Sequence, residues 1–177
     1  MNSSPLPICI TLGTRPEAIK LAPVIQEFRR HADFQTHVIL TGQHREMVKQ
    51  VMQLFQIEAN EDLKIMQPKQ TLTEITHRSL QGLEKLFEKL NPRLVIVQGD
   101  TTTAFAAALA AFYQQIPIGH VEAGLRTDNI YNPFPEEANR RLISHRPIAF
   151  RPNSDGNGKF GAIGRNRRSP FNRQYRD

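Results

Sequence analysis

Short apolar runs alternate along this chain with longer stretches in which apolar residues recur every three or four positions. The first run, Ile8-Cys9-Ile10-Thr11-Leu12, reads as a buried strand cut off by Gly13-Thr14-Arg15-Pro16. Pro16 suits a helix start, because its φ is preset and the first turn leaves its missing N–H unused. From Glu17 to Arg30, the positions Ile19, Leu21, Ala22, Val24, Ile25 and Phe28 fall at helical spacing. His37-Val38-Ile39-Leu40-Thr41 predicts a second strand, closed by Gly42-Gln43-His44, and Arg45 to Phe55 a second helix. Residues 58–70 are mixed and expected to be largely irregular, with a short strand at Leu63-Lys64-Ile65. Thr71 to Leu90 predicts a long amphipathic helix with Thr71 or Thr73 as N-cap, stopped by Asn91-Pro92. Leu94-Val95-Ile96-Val97 is the uninterrupted apolar run of a parallel strand covered on both faces. An alanine-rich helix, Ala104 to Tyr113, and a short strand, Ile116 to Val121, follow. A helix from Glu136 to His145 comes last, with acids in the first turn where the dipole favours them.

Strands alternating with helices predict an α/β fold: a Rossmann-like open parallel sheet with helices on both faces. Ligands of such sheets bind at the carboxyl ends of the strands. Four ends therefore matter: Gly13-Thr14-Arg15, Gly42-Gln43-His44, Gly99-Asp100-Thr101 and His120-Val121-Glu122. They bring Arg15, His44, Asp100 and Glu122 to one edge, with Lys20 a turn into the first helix and Glu136 at a later helix start. Cations near a helix N-terminus suit a phosphate. Several carboxylates together suit proton transfer or stabilisation of a cationic sugar transition state. Each residue also has a plainer use. Asp100 could cap the following helix, Glu122 could pair with Arg126, and Arg15 could pair with a surface carboxylate. Glu137 serves the helix dipole as well as Glu136 does, and His44, His120 and His145 fit structural roles. No spacing resembles a metal site, and neither a P-loop nor G-x-G-x-x-G occurs.

Composition narrows the class. The 177 residues, 39% apolar, fit a globular domain with or without a tail. No run of about 18 apolar residues predicts a membrane span, and Met1 to Pro7 lacks the pattern of a secretory signal. The single cysteine, Cys9, rules out a disulfide framework or a cysteine metal site within one chain, so a cytoplasmic setting is expected. A net charge of +6 first suggests nucleic acid. Residues 1–148, however, hold 16 Lys/Arg against 15 Asp/Glu, whereas residues 149–177 hold seven against two. The excess sits in a tail with no aromatic platform or recognition motif, so an anionic-surface binder is the weaker reading.

Five motifs in order carry a resemblance. Gly13-Thr14-Arg15-Pro16-Glu17-Ala18-Ile19-Lys20, Thr41-Gly42-Gln43-His44 and Gln98-Gly99-Asp100-Thr101 are the first three. His120 to Thr127 and Pro133 to Arg140 are the others. From about residue 8 to about residue 145 the chain resembles the non-hydrolysing UDP-N-acetylglucosamine 2-epimerases. The resemblance implies one half of a glycosyltransferase-B type two-domain fold and interconversion of UDP-GlcNAc and UDP-ManNAc. UDP is eliminated to give 2-acetamidoglucal and then re-added. By motif position it makes Asp100, Glu122 and Glu136 the acid/base and cation-stabilising carboxylates. It makes Arg15 and Lys20 contacts to substrate and phosphate, and it puts Gln43 and His44 beside the cleft and an activator site for a second UDP-GlcNAc. It implies no cofactor or metal and a homodimer. Hydrolysing epimerases, which release free ManNAc, and other glycosyltransferase-B sugar-nucleotide enzymes are the neighbouring alternatives.

The resemblance stops at about His145. The domain expected over residues 1–148 gives way to a basic tail, 149–177, with neither leucine nor valine, which is expected to be disordered. Codons permitted for Phe150 to Asp177 also allow a reading one base later that contains F-A-P-T and T-G-N-T-V-I-D, stretches like the family's own continuation. The tail is therefore expected to be out-of-frame sequence, and the chain a truncated, inactive form of a two-domain enzyme.

Overall fold

The computed structural model describes residues 4–42 and 45–144. Five strands form one fully parallel sheet: β1 (Leu6–Leu12), β2 (Phe34–Leu40), β3 (Glu61–Asp62), β4 (Leu94–Gln98) and β5 (Ile118–Val121). Their spatial order is β3-β2-β1-β4-β5. The chain winds outward from β1 to β3, then crosses back to β4 and winds the other way. The strand order therefore reverses between β1 and β4, the position at which such sheets open a crevice.

Helices α1 (Arg15–Arg30), α2 (Arg45–Leu54), α3 (Leu72–Leu90), α4 (Thr102–Tyr113) and α5 (Glu136–Ser144) cover the sheet. The two-residue period of a strand divides the core between its faces. Ile8, Ile10 and Leu12 of β1 with Leu94 and Ile96 of β4 pack under α1 and α2, against Leu21, Ile25 and Val48. Cys9, Val95 and Val97 face the other way, against Leu83 and Phe87 of α3, the alanines of α4 and Ile143 of α5. Burial pushes the Cys9 thiol up to about 12, so it packs as an apolar group.

Element ends differ from the sequence pattern in ways the backbone explains. The side chain of Thr71, and not that of Thr73, caps α3, accepting from the backbone N–H of Glu74 at 3.2 Å. Asn91 closes α3 in the left-handed conformation at φ 44°. The outer strand is Glu61–Asp62 in place of Leu63-Lys64-Ile65, because Lys64 turns to φ 51° and ends the ladder. Leu63 still donates its backbone N–H to Leu40 O at 2.8 Å, while its side chain packs toward the α3–α4 cluster. Among the described residues, no helix is long and apolar enough to cross a membrane.

Candidate active site at the carboxyl ends of the strands

The first turn of α1 is built around a residue that the sequence pattern did not single out. Glu17 is 2% exposed. Its Oε2 accepts the backbone N–H groups of Gly13 at 2.6 Å and Thr14 at 2.7 Å, while Oε1 accepts the Thr101 hydroxyl at 2.6 Å. One carboxylate thus closes the helix N-terminus and ties the β1–α1 turn to the β4–α4 turn across the reversal in strand order. Burial pushes its pKa above the ordinary 4.5, against the hydrogen bonds from Thr101, Gly13 and Thr14. The amides of Gly13 and Thr14 are thus already spent within the turn, on Glu17.

The cations at this edge are Arg15 and Lys20. Arg15 is exposed and has no side-chain partner among the described residues. Lys20 forms an ion pair with Glu122, which also accepts from the amide of Gln98 at the end of β4. Glu122 therefore takes two donors on one oxygen, and it pairs with Lys20 in place of Arg126, whose guanidinium donates to Ala123 O at 2.8 Å. Glu122 holds φ 62°, a left-handed conformation that costs a non-glycine residue on the order of 1 kcal/mol. The two donors fix its carboxylate in spite of that cost.

Asp100 lies in the turn after β4, following Gly99 at φ 69°. The cap of α4 is Thr101, which accepts from the backbone N–H of Ala104 at 3.0 Å, so the carboxylate of Asp100 is free of that duty. It is bonded by Arg140 of α5, and Asn139 donates to the Asp100 carbonyl at 2.9 Å. Arg140 is 5% exposed and reaches Glu137 at 2.8 Å, while Glu137 is 0% exposed and also accepts from Arg141 at 2.7 Å. The Arg141 bond holds the Glu137 carboxyl below the usual range. Glu136 and Glu137, interchangeable in the sequence, are thus separated: Glu137 is enclosed, and Glu136 is half-buried at the helix start with no partner among the described residues.

His120 is buried at the end of β5 and donates from Nε2 to Gly99 O at 2.6 Å. A carbonyl can only accept, so the proton is on Nε2 and Nδ1 is bare; Nδ1 is buried without a partner. Burial lowers its pKa below 6.5. The imidazole fixes the turn that carries Asp100, the structural role its pattern suggested.

The structure therefore links Lys20 with Glu122 directly and Asp100 with the helix that carries Glu136. It leaves Arg15 and Glu136 without contacts to the others among the described residues. Gln43 and His44 lie outside the described residues. Glu17, Gln98, Glu137 and Arg140 were missed as site residues. The only sequence signal was that Glu17 and Gln98 lie beside strand ends and that Glu137 and Arg140 lie in the Pro133 to Arg140 motif. Among the described residues, no three of His, Cys, Asp and Glu gather where they could hold a metal ion.

A doubly wound sheet with carboxylates and cations at its switch-point edge belongs to the class of α/β domains whose ligands bind at that edge. Comparison with known proteins gives the family. The sequence model of UDP-N-acetylglucosamine 2-epimerase matches residues 26–155, and the chain belongs to that family. It is 57% identical over 137 residues to the UDP-N-acetylglucosamine 2-epimerase of Neisseria meningitidis serogroup A, covering 77% of this chain and 37% of that one. The solved structure of a UDP-GlcNAc 2-epimerase from Neisseria meningitidis bound to UDP-GlcNAc superimposes with a TM-score of 0.76 at 56% identity, over 79% of this chain and 38% of that one. The chain thus spans little more than a third of the length of the relatives it matches. Acinetobacter baumannii MurG, at 13% identity and a TM-score of 0.53, shares the fold alone. The fold is that of one half of a glycosyltransferase-B type architecture.

Proposed function

We propose that this chain supplies the carboxylate-bearing half of the active site of an enzyme that interconverts UDP-GlcNAc and UDP-ManNAc. The observation that carries the reading is the set of fixed charges at the strand ends: Glu122 held by Lys20 and Gln98, and Asp100 held by Arg140. The Neisseria relative bound to UDP-GlcNAc supports the substrate.

The chemistry accounts for those residue types. The proton on C2 of the sugar is not α to a carbonyl and is barely acidic. Breaking the C1–O bond first gives C1 oxocarbenium character, which acidifies C2–H. The electron pair of C1–O leaves with UDP, a carboxylate takes the C2 proton, and 2-acetamidoglucal remains. Return of a proton to the opposite face of C2 and re-addition of UDP at C1 complete the inversion. Asp100, Glu122 and Glu136 are the carboxylates for the proton transfers and for stabilising the cation. Lys20 and Arg15 hold the departing diphosphate close enough to return.

The domain boundary belongs to the same proposal: residues 1–148 form the enzyme domain, and residues 149–177, of which the family match still takes in 149–155, are out-of-frame sequence. Sequencing the gene downstream of codon 145 tests that boundary; a tail that reads in frame in independent sequences overturns it. The activity is tested by assaying the 177-residue chain beside a complete enzyme. In that enzyme the matched stretch of the Neisseria meningitidis relative is replaced by its counterpart from this chain. We expect UDP-ManNAc from the complete enzyme and none from the 177 residues alone. An inactive complete enzyme, or one that releases free ManNAc, refutes the reading.

A further inference from the structure

The Glu137 carboxylate does more than an acid in a first helical turn requires. It is fully buried, although Glu136 beside it meets the helix dipole equally well from a half-exposed position. Its side-chain partners are Arg140 at Oε2 and Arg141 at Oε1, and the backbone N–H of Thr127 donates to it as well. Both guanidiniums fork. Arg140 sends its second arm to the Asp100 carboxylate, and Arg141 sends its second arm to the Thr127 carbonyl at 2.6 Å, in the segment that follows Glu122. A pairing that served only α5 would need neither outward arm. Arg140 leaves its Nε buried without a partner while both NH groups meet carboxylates. The side chain is therefore arranged as a bridge and not as an isolated donor. Two carboxylates and two guanidiniums balance in charge, and the two buried members, Glu137 and Arg140, pair with each other.

We propose that Glu137 is a positioning residue: through Arg140 and Arg141 it holds the Asp100 carboxylate and the loop after β5 in the arrangement that the proposed epimerisation uses. The proposal rests on that reading of function. Glu137 touches no substrate; it acts through Asp100, so its effect depends on Asp100 being present.

Two measurements test it. In the 177-residue chain, Glu137→Gln keeps the shape of the side chain and removes its charge. The backbone amide resonances of Gly99, Asp100, Thr101 and Thr127 then move, while those of β2 stay in place. Unmoved resonances at Gly99 to Thr101 overturn the proposal. In the complete enzyme described above, Glu137→Gln lowers kcat by on the order of ten- to a hundredfold and leaves KM for UDP-GlcNAc within about threefold. Adding Glu137→Gln to Asp100→Asn costs nothing further, because a residue that acts through Asp100 has nothing left to position. Multiplying effects, or a kcat within about twofold of the parent, overturn the proposal. Arg140→Lys, which keeps the charge and loses the fork, gives the same cycle with Asp100→Asn if Glu137→Gln melts early. An inactive parent enzyme instead refutes the functional reading, so the two failures are distinguishable.

Discussion

Replacing Glu17 with alanine removes the acceptor of two buried backbone N–H groups and of the Thr101 hydroxyl. Each buried donor left unpaired costs about 1–3 kcal/mol, and the Thr101 hydroxyl can turn to Thr103, so the two N–H groups set the cost of Glu17→Ala at about 2–6 kcal/mol. At about 3 °C per kcal/mol for a domain of this size, the melting temperature falls by roughly 6–18 °C. The pH dependence separates hydrogen bonding from charge. The folded-state pKa of Glu17 is raised above 4.5, so its protonated form favours folding. Its contribution is fully present below the unfolded value and is lost as pH rises through the folded one. Glu17→Gln keeps the shape and carries no charge to desolvate. Relative to this variant, the wild-type chain therefore loses stability as pH rises above about 4.5. Thermal unfolding followed by far-ultraviolet circular dichroism across that range reads both effects. A Glu17→Ala chain melting within about 1 °C of wild type, or a flat difference between wild type and Glu17→Gln, refutes the account.

His120 carries the opposite pH dependence: its pKa is lowered by burial, so stability is full above 6.5 and falls with acidification below it. His120→Gln, which keeps a donor for Gly99 O, flattens that step in melting curves between about pH 7.5 and about pH 5. Gly42 and Gly99 both hold positive φ, but a Cβ on Gly42 would meet Lys64 Cα at 3.2 Å, whereas one on Gly99 meets nothing within 4 Å. Gly42→Ala should therefore cost more in urea unfolding than Gly99→Ala, which pays about 1–2 kcal/mol for its conformation alone; equal costs contradict the packing argument. Leu83, 0% exposed under α4, should cost about 2–5 kcal/mol when cut to alanine; a loss below about 1 kcal/mol would mean the helix collapses onto the gap.

The sheet was legible because its strands are buried on both faces. Val95 and Val97 face one way and Leu94 and Ile96 the other, so the sequence shows an unbroken apolar run. The edge strand was not legible: Glu61 and Asp62 carry no apolar signal, and their pairing with Ile39 and Leu40 is a matter of backbone alone. Polar first turns hid in the same way. Arg15 and Thr102 read as loop residues yet begin α1 and α4. The strand-end motifs marked Lys20, Asp100 and Glu122, but sequence carries no measure of burial. Glu17 and Glu137 accordingly looked like ordinary acids of helix first turns. Spacing in sequence offered Arg126 as one partner for Glu122, but the backbone at φ 62° does not continue as a helix, and Glu122 pairs with Lys20.

Helix α4 has a consequence for how this edge can change over time. Its buried side is Thr102, Thr103 and six alanines, with Ala106, Ala107 and Ala111 at 0% exposed. A methyl-lined helix lies as close to a sheet as side chains permit, and interiors at native density do not absorb added methylenes. Any larger residue on that side lifts the whole helix, and Thr101 and Asp100 are the next residues along the rod. α4 thus works as a shim that sets the height of a carboxylate. Drift in that helix would shift Asp100 before it unfolded the domain.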